Sequence, residues 1–155
     1  MSAAQSFISR VTGKLDGKGR VCIPASYRQI LAAQDTAGVY VCPSFHEAAL
    51  DCFGEEVLQK LHRVQAELDP FFAPEHDDRA LAVLAMTDLL PLDENGRVRL
   101  PEEMIAHAGL KESVIFVGKG TKFQIWAPEN FKPVLAHTLD NARTLRSASK
   151  NGGTG

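Results

Sequence analysis

Apolar and polar positions follow two periods along this chain. Val39-Tyr40-Val41-Cys42, Ala48 to Phe53, Ser113 to Val117 and Lys122 to Trp126 are short runs rich in β-branched and aromatic residues, and predict strands. Pro43 to Glu47 and Gly118 to Thr121 are the turns that join them in pairs. Phe7 to Val11 alternates and predicts a first strand. Elsewhere the period is helical. Tyr27, Ile30 and Leu31 share one face of Ala25 to Ala33, and Val57, Leu58, Leu61, Val64 and Leu68 form a stripe on Glu55 to Leu68. Asp69-Pro70 ends that helix, Phe71 to Pro74 is a short aromatic link, and Asp77 to Met86 predicts another helix with Leu81, Leu84 and Ala85 inward. These two helices exceed a plain linker, so they are expected to pack between units or subunits. A short helix at 101–108 carries Glu102 and Glu103 in its first turn and Gly109 as its stop. Pro128 opens a last helix running to about Leu139.

One stretch occurs twice. Leu15-Asp16-Gly17-Lys18-Gly19-Arg20-Val21-Cys22-Ile23-Pro24 returns as Leu92-Asp93-Glu94-Asn95-Gly96-Arg97-Val98-Arg99-Leu100-Pro101. Asp16 and Asp93, Arg20 and Arg97, and Pro24 and Pro101 are each 77 residues apart. Each copy reads strand, turn, strand, helix, and the protein reads as two copies of one small unit. Asp16 and Asp93 are placed to accept hydrogen bonds from turn N–H groups, while Gly19 and Gly96 supply the positive φ of a tight loop. These four residues are assigned to turn structure. The predicted organisation is a first unit at 7–53, a helical connector at 54–86, a second unit at 87–130, a C-terminal helix at 131–140 and a disordered tail at 141–155. Met1 to Ser6 is expected to be a mobile lead.

Charge sharpens this picture. The net charge is −2, yet the first 28 residues hold Arg10, Lys14, Lys18, Arg20 and Arg28 against Asp16 alone. Residues 47–78 hold nine acidic side chains against Lys60 and Arg63. One end can therefore face an anion while the middle repels it. No HExxH, CxxC or His/Cys cluster occurs, so neither metal nor cofactor is expected. Cys22, Cys42 and Cys52 read as small buried thiols of a reducing compartment. No nucleophile–base–acid set is visible, and catalysis on a small-molecule substrate is the least supported reading. The absence of a signal-peptide pattern or membrane-length apolar run makes a cytoplasmic location the default.

With its Asp-x-x-x-Arg in each copy, the chain resembles the MraZ family, bacterial transcriptional regulators built from two SpoVT/AbrB-type units. Leu15, Pro24, Tyr27-Arg28, Ala108-Gly109-Leu110, Val117-Gly118 and Lys122 to Trp126 carry the resemblance further, over about Phe7 to Leu139. It implies an α+β fold of two AbrB-like swapped-hairpin units with an internal pseudo-twofold and a barrel-like core. It also implies ring-shaped homo-oligomers, and binding to short direct repeats in double-stranded DNA upstream of the division and cell-wall gene cluster, mostly as repressors. The chain departs from the family at two places. Members often begin Met-Phe-Arg-Gly where Ser6-Phe7-Ile8-Ser9 stands here, with the basic residue at Arg10, and Asn95 replaces the lysine of the first turn. The first turn is therefore expected to do more of the binding.

The candidate DNA-binding residues are Arg10, Lys14, Lys18, Arg20 and Arg97. A Gly-rich tip is thin enough to approach DNA. Arg20 at its base can pair with guanine O6 and N7, whereas Arg10 and Lys14 suit phosphates. A second role stays open for Arg20 and Arg97, because each lies four residues after an Asp and can simply hold its turn closed. Lys119 and Lys122 read as exposed strand-turn charges, Glu75 to Asp78 as a solvated helix start, and Trp126, Phe123 and Phe131 as core or subunit contact. The competing functions are another AbrB-type regulator, such as the antidote of a toxin–antidote pair, and a scaffold ring that binds protein.

Overall fold

The computed structural model describes residues 6–152, and side chains through Arg146. Among these residues, eight strands and five α-helices follow in order, with a π-helical turn (Ala80–Ala85) after α3: β1 (Arg10–Lys14), β2 (Arg20–Cys22), α1 (Ala25–Ala33), β3 (Val39–Pro43), β4 (Ala49–Phe53), α2 (Glu55–Ala66), α3 (Pro74–Arg79), β5 (Asp88–Leu90), β6 (Arg97–Arg99), α4 (Glu102–Ala108), β7 (Ser113–Gly118), β8 (Phe123–Trp126) and α5 (Pro128–Gly152). The fold is mixed α+β. Six strands form one antiparallel sheet in the order β1-β7-β8-β4-β3-β5, and β2 and β6 form a separate two-stranded ribbon. Each repeated turn is flanked by strands that pair with the other half of the chain. β1 pairs with β7, β5 with β3, and β2 with β6. Leu15 and Val21, on either side of the first turn, share a single bridge.

The inner face of the large sheet and the underside of the ribbon enclose the main core. Val41, Leu50, Cys52, Phe116, Phe123 and Ile125 come from the sheet, Val21 and Val98 from the ribbon, and Tyr27, Leu31, Met104 and Ala108 from α1 and α4. Phe7, Tyr27 and Phe123 meet as rings with centroids 4.7 to 5.3 Å apart. On the opposite face, Trp126, Ala49 and Val117 pack against Phe131, with Val134 and Leu135 of α5 alongside. The sequence reading of Trp126 and Phe131 as packing residues therefore holds. α2 springs from β4 and is capped by the loop after α1: Thr36 Oγ1 accepts from Glu55 N at 2.9 Å, and Gln34 Oε1 from Glu56 N at 3.0 Å. Gly109 ends α4 in the left-handed conformation (φ 61°), as its position predicts.

Several expectations are corrected. The first strand is Arg10–Lys14 rather than 7–11. Phe7 forms one bridge with Gly120 in the same register as β1 and β7 and is buried in the core, while Ser9, at φ 71°, interrupts the ladder between Phe7 and Arg10. The helix expected from Asp77 begins at Pro74, whose fixed φ suits a first helical position, and continues as a π-helical turn over Ala80–Ala85. α5 extends to Gly152, so the segment from Asn141 is helical rather than disordered. Its Ala, Leu, Arg and Lys content favours helix, and an Arg143–Asp140 contact of 3.3 Å supports it. Positions 1–5 of the expected lead and 153–155 of the expected tail lie outside the described residues. Cys42 and Cys52 are buried, whereas Cys22 is exposed, because the alternation of β2 turns it away from Val21.

Candidate nucleic-acid interface

The two turns are built by the same hydrogen bonds. Asp16 Oδ1 accepts from the backbone N–H of Lys18 and of Arg20, both at 2.9 Å, while Oδ2 accepts from Arg20 Nε at 2.8 Å. Asp93 repeats this with Asn95 N at 2.8 Å, Arg97 N at 2.9 Å and Arg97 Nε at 3.0 Å. The backbone closes each loop as well, Gly19 N to Asp16 O at 3.1 Å and Gly96 N to Asp93 O at 3.0 Å. Gly19 and Gly96 adopt φ of 78° and 77°, which a side chain disfavours. Hydrogen bonds to the ionised carboxylate, the backbone N–H of the arginine foremost, hold Asp16 and Asp93 below the usual carboxylate range.

The turns also lock onto each other's halves. Leu100 N donates to Gly19 O at 2.8 Å, and Ile23 N to Gly96 O at 2.9 Å. These bonds continue the ribbon, in which Arg20 faces Arg99, Val21 faces Val98 and Cys22 faces Arg97. Val21 and Val98 point into the core. Strand alternation therefore puts Arg20, Cys22, Arg97 and Arg99 on the one outer face of the ribbon. Among the described residues, Arg20 and Arg97 engage their aspartates only through Nε, so the terminal guanidinium nitrogens are left without protein partners. Each arginine thus staples its turn and still presents donors outward.

The five predicted residues do not all meet. Lys18 stands exposed on the first tip, with Arg20 at its base. Lys14 is exposed at the end of β1 nearest the turn. Arg10, at the far end of β1, instead lines a groove of about 540 Å³ with Ile115, Phe131, Lys132 and Leu135, beside the start of α5. Arg97 occupies the second turn. Of the two lysines read as plain strand-turn charges, Lys122 sits 3.0 Å from Asp51.

Arg99 went unmarked in the sequence, although Arg97-Val98-Arg99 alternates as a strand does, and that pattern was the available signal. The surroundings of the two turns differ as well. A cleft of about 600 Å³ beside the first turn is lined by Asp16, Lys18, Arg99, Glu102 and Ile105, among others. At the second turn Arg28, whose Nε donates to Ile23 O at 3.0 Å, lies across Gly96. Arg28 and Ile105 are counterparts in the repeat, 77 residues apart.

Among the described residues, no group of three or more His, Cys, Asp or Glu side chains could hold a metal ion, and no helix is long and apolar enough to cross a membrane.

Comparison with known proteins finds relatives along most of the chain. Residues 83–149 match the family model described as "MraZ protein, putative antitoxin-like". A Transcriptional regulator MraZ from Beijerinckia indica is 41% identical over 140 residues, covering 90% of this chain and 85% of the relative. One from Azorhizobium caulinodans is 38% identical over 146 residues, covering 94% and 92%, and one from Rickettsia bellii is 35% identical over 146 residues, covering 94% and 97%. The chain belongs to the MraZ family.

Proposed function

We propose that this protein is a sequence-specific DNA-binding transcriptional regulator. It acts as a repressor of the division and cell-wall gene cluster and binds short direct repeats as a ring-shaped homo-oligomer at the nucleoid, in the cytoplasm. The observation that carries this reading is the outer face of the β2–β6 ribbon: arginines pre-oriented by Asp16 and Asp93, beside the Lys18 tip, with donor groups left open. A guanidinium held by a carboxylate through Nε arrives at a guanine edge with its fork already aimed, so less side-chain entropy is lost on binding. Lys14 and Arg10 contribute phosphate contacts along β1, and Arg97 repeats the role of Arg20 at the second turn.

The strand order supports two swapped-hairpin units related by a pseudo-twofold. The order β1-β7-β8-β4-β3-β5 reads the same backwards when each strand is exchanged for its counterpart in the other half. On this reading the units are 7–53 and 87–130, joined by the helices of 54–86. Assembly is supported by exposed apolar side chains on the connector and on α5, with Phe71 and Phe72 each 86% accessible. One subunit offers few contacts, so adjacent subunits on adjacent repeats bind by avidity. Two copies of the unit in one chain argue against the antidote reading, and a protein-binding scaffold leaves the arginine face without a use.

A gel shift with direct-repeat duplex against scrambled duplex of equal composition tests the proposal. Preferential retardation of the repeat duplex by wild type, lost in Arg20→Ala at unchanged melting temperature, is the expected result. Equal retardation of both duplexes by wild type would end it.

A further inference from the structure

The repeat that builds the arginine face is imperfect, and its imperfections fall on one side. Arg20 and Arg97 are counterparts, but the counterpart of Arg99 is Cys22 and that of Lys18 is Asn95. In the ribbon Arg20 stands opposite Arg99, whereas Arg97 stands opposite Cys22. One end of the face thus carries two arginines with Lys18 close by, and the other carries one arginine and a thiol. The flanks differ in the same sense. The cleft beside the first turn is open and lined by both Lys18 and Arg99, while at the second turn Arg28 covers Gly96.

Resting on the DNA-binding reading above, we propose that Arg99 is a specificity-determining residue that reads a base together with Arg20, and that it gives the head a direction along the duplex. A head with two equal ends would dock on a site in either sense and could not separate direct from inverted copies. A head with its second arginine at one end docks in a single sense and selects copies written head to tail. The cleft that Arg99 lines also contains Asp16 and Glu102. A phosphate seated there would meet two carboxylates, so the cleft accepts a base edge, which offers donors as well as acceptors.

The test is selection from a random duplex library with the full-length protein, followed by titration of the enriched duplex. Wild type is expected to enrich a non-palindromic motif. Arg99→Ala, at a side chain exposed on the ribbon, is expected to lose base preference at one end of that motif and to bind the wild-type duplex about tenfold more weakly. Arg99→Lys keeps the charge but not the planar fork, and is expected to retain non-specific affinity without the base preference. In the double variant Cys22→Arg with Arg99→Cys, the arginine sits on the other half, and the lost preference is expected to reappear at the opposite end. Melting temperatures within a few degrees of wild type establish that each variant folds. A palindromic wild-type motif, an unchanged motif in Arg99→Ala, or a motif fully restored by Arg99→Lys would overturn the role of Arg99 while leaving DNA binding intact. No enrichment by wild type over the starting library would overturn the DNA reading and this inference with it.

Discussion

Gly19 and Gly96 offer a controlled comparison, because they share φ near +78° and the same loop hydrogen bonds but have different neighbours. Alanine at either position must sit in the left-handed region, at a cost of about 1–2 kcal/mol for an L-residue. At Gly19 the new Cβ would meet Ile105 Cδ1 at 3.4 Å and Leu100 O at 3.5 Å, ordinary contacts that add little. At Gly96 it would lie 2.6 to 2.7 Å from the Arg28 guanidinium, which must leave. Arg28 then gives up its 3.0 Å bond to Ile23 O. Since the displaced group regains water, the added cost is about 1 kcal/mol, below the usual range for a charged hydrogen bond. Gly96→Ala is therefore expected to lower stability by about 2–3 kcal/mol, against about 1–2 for Gly19→Ala. Urea unfolding at one fixed protomer concentration measures both, which matters because assembly adds to apparent stability. In an Arg28→Ala background the two alanine substitutions should cost the same. Equal costs in the wild-type background, or a Gly96 penalty that persists without Arg28, would refute the steric argument.

Arg20→Ala is expected to weaken binding to repeat duplex about tenfold or more while barely moving the melting temperature, because the two backbone bonds to Asp16 Oδ1 survive; fluorescence anisotropy and calorimetry measure the two effects. Affinity for repeat duplex is expected to fall linearly on a log–log plot against salt, with a shallower slope in Lys18→Ala, as anisotropy at several salt concentrations would show. Asp16 and Asp93 are held below their ordinary pKa, so their stabilisation is complete above the ordinary value of 3.8 and is lost as pH falls through the folded values. Acid unfolding followed by circular dichroism should accordingly show a flatter limb below about pH 4 in the Asp16→Asn/Asp93→Asn double variant. Alkylation at pH 8 followed by mass spectrometry should label Cys22 alone in the native protein. Burial pushes the Cys42 thiol up to about 11 and raises Cys52 well above its ordinary value, and all three should react in denaturant.

Much was legible along the chain because it depends on neighbours in sequence. α1 matches its predicted range, since the spacing of Tyr27, Ile30 and Leu31 is itself the helix signal. The turns are legible for the same reason: Asp, Gly and Arg at fixed offsets make bonds spanning four residues at most. Phe7 keeps the register of the first strand but stands apart from it, because Ser9 turns the backbone to φ 71°, and side-chain alternation does not reveal such a break. The last helix was cut short because a polar run with no apolar stripe resembles a tail until its helix-forming composition is weighed.

Local order thus settled the repeat, α1 and the shape of the two loops, because covalent spacing alone brings those atoms together. Partner choice lay beyond it. That β2 lies against β6 and not against its own arm, that Arg99 comes to face Arg20 and Cys22 to face Arg97, and that Arg28 closes over the far loop are all contacts between residues more than sixty positions apart. Such pairings are chosen by burying Val21 and Val98 in a shared core, and burial is a property of the folded whole rather than of any segment.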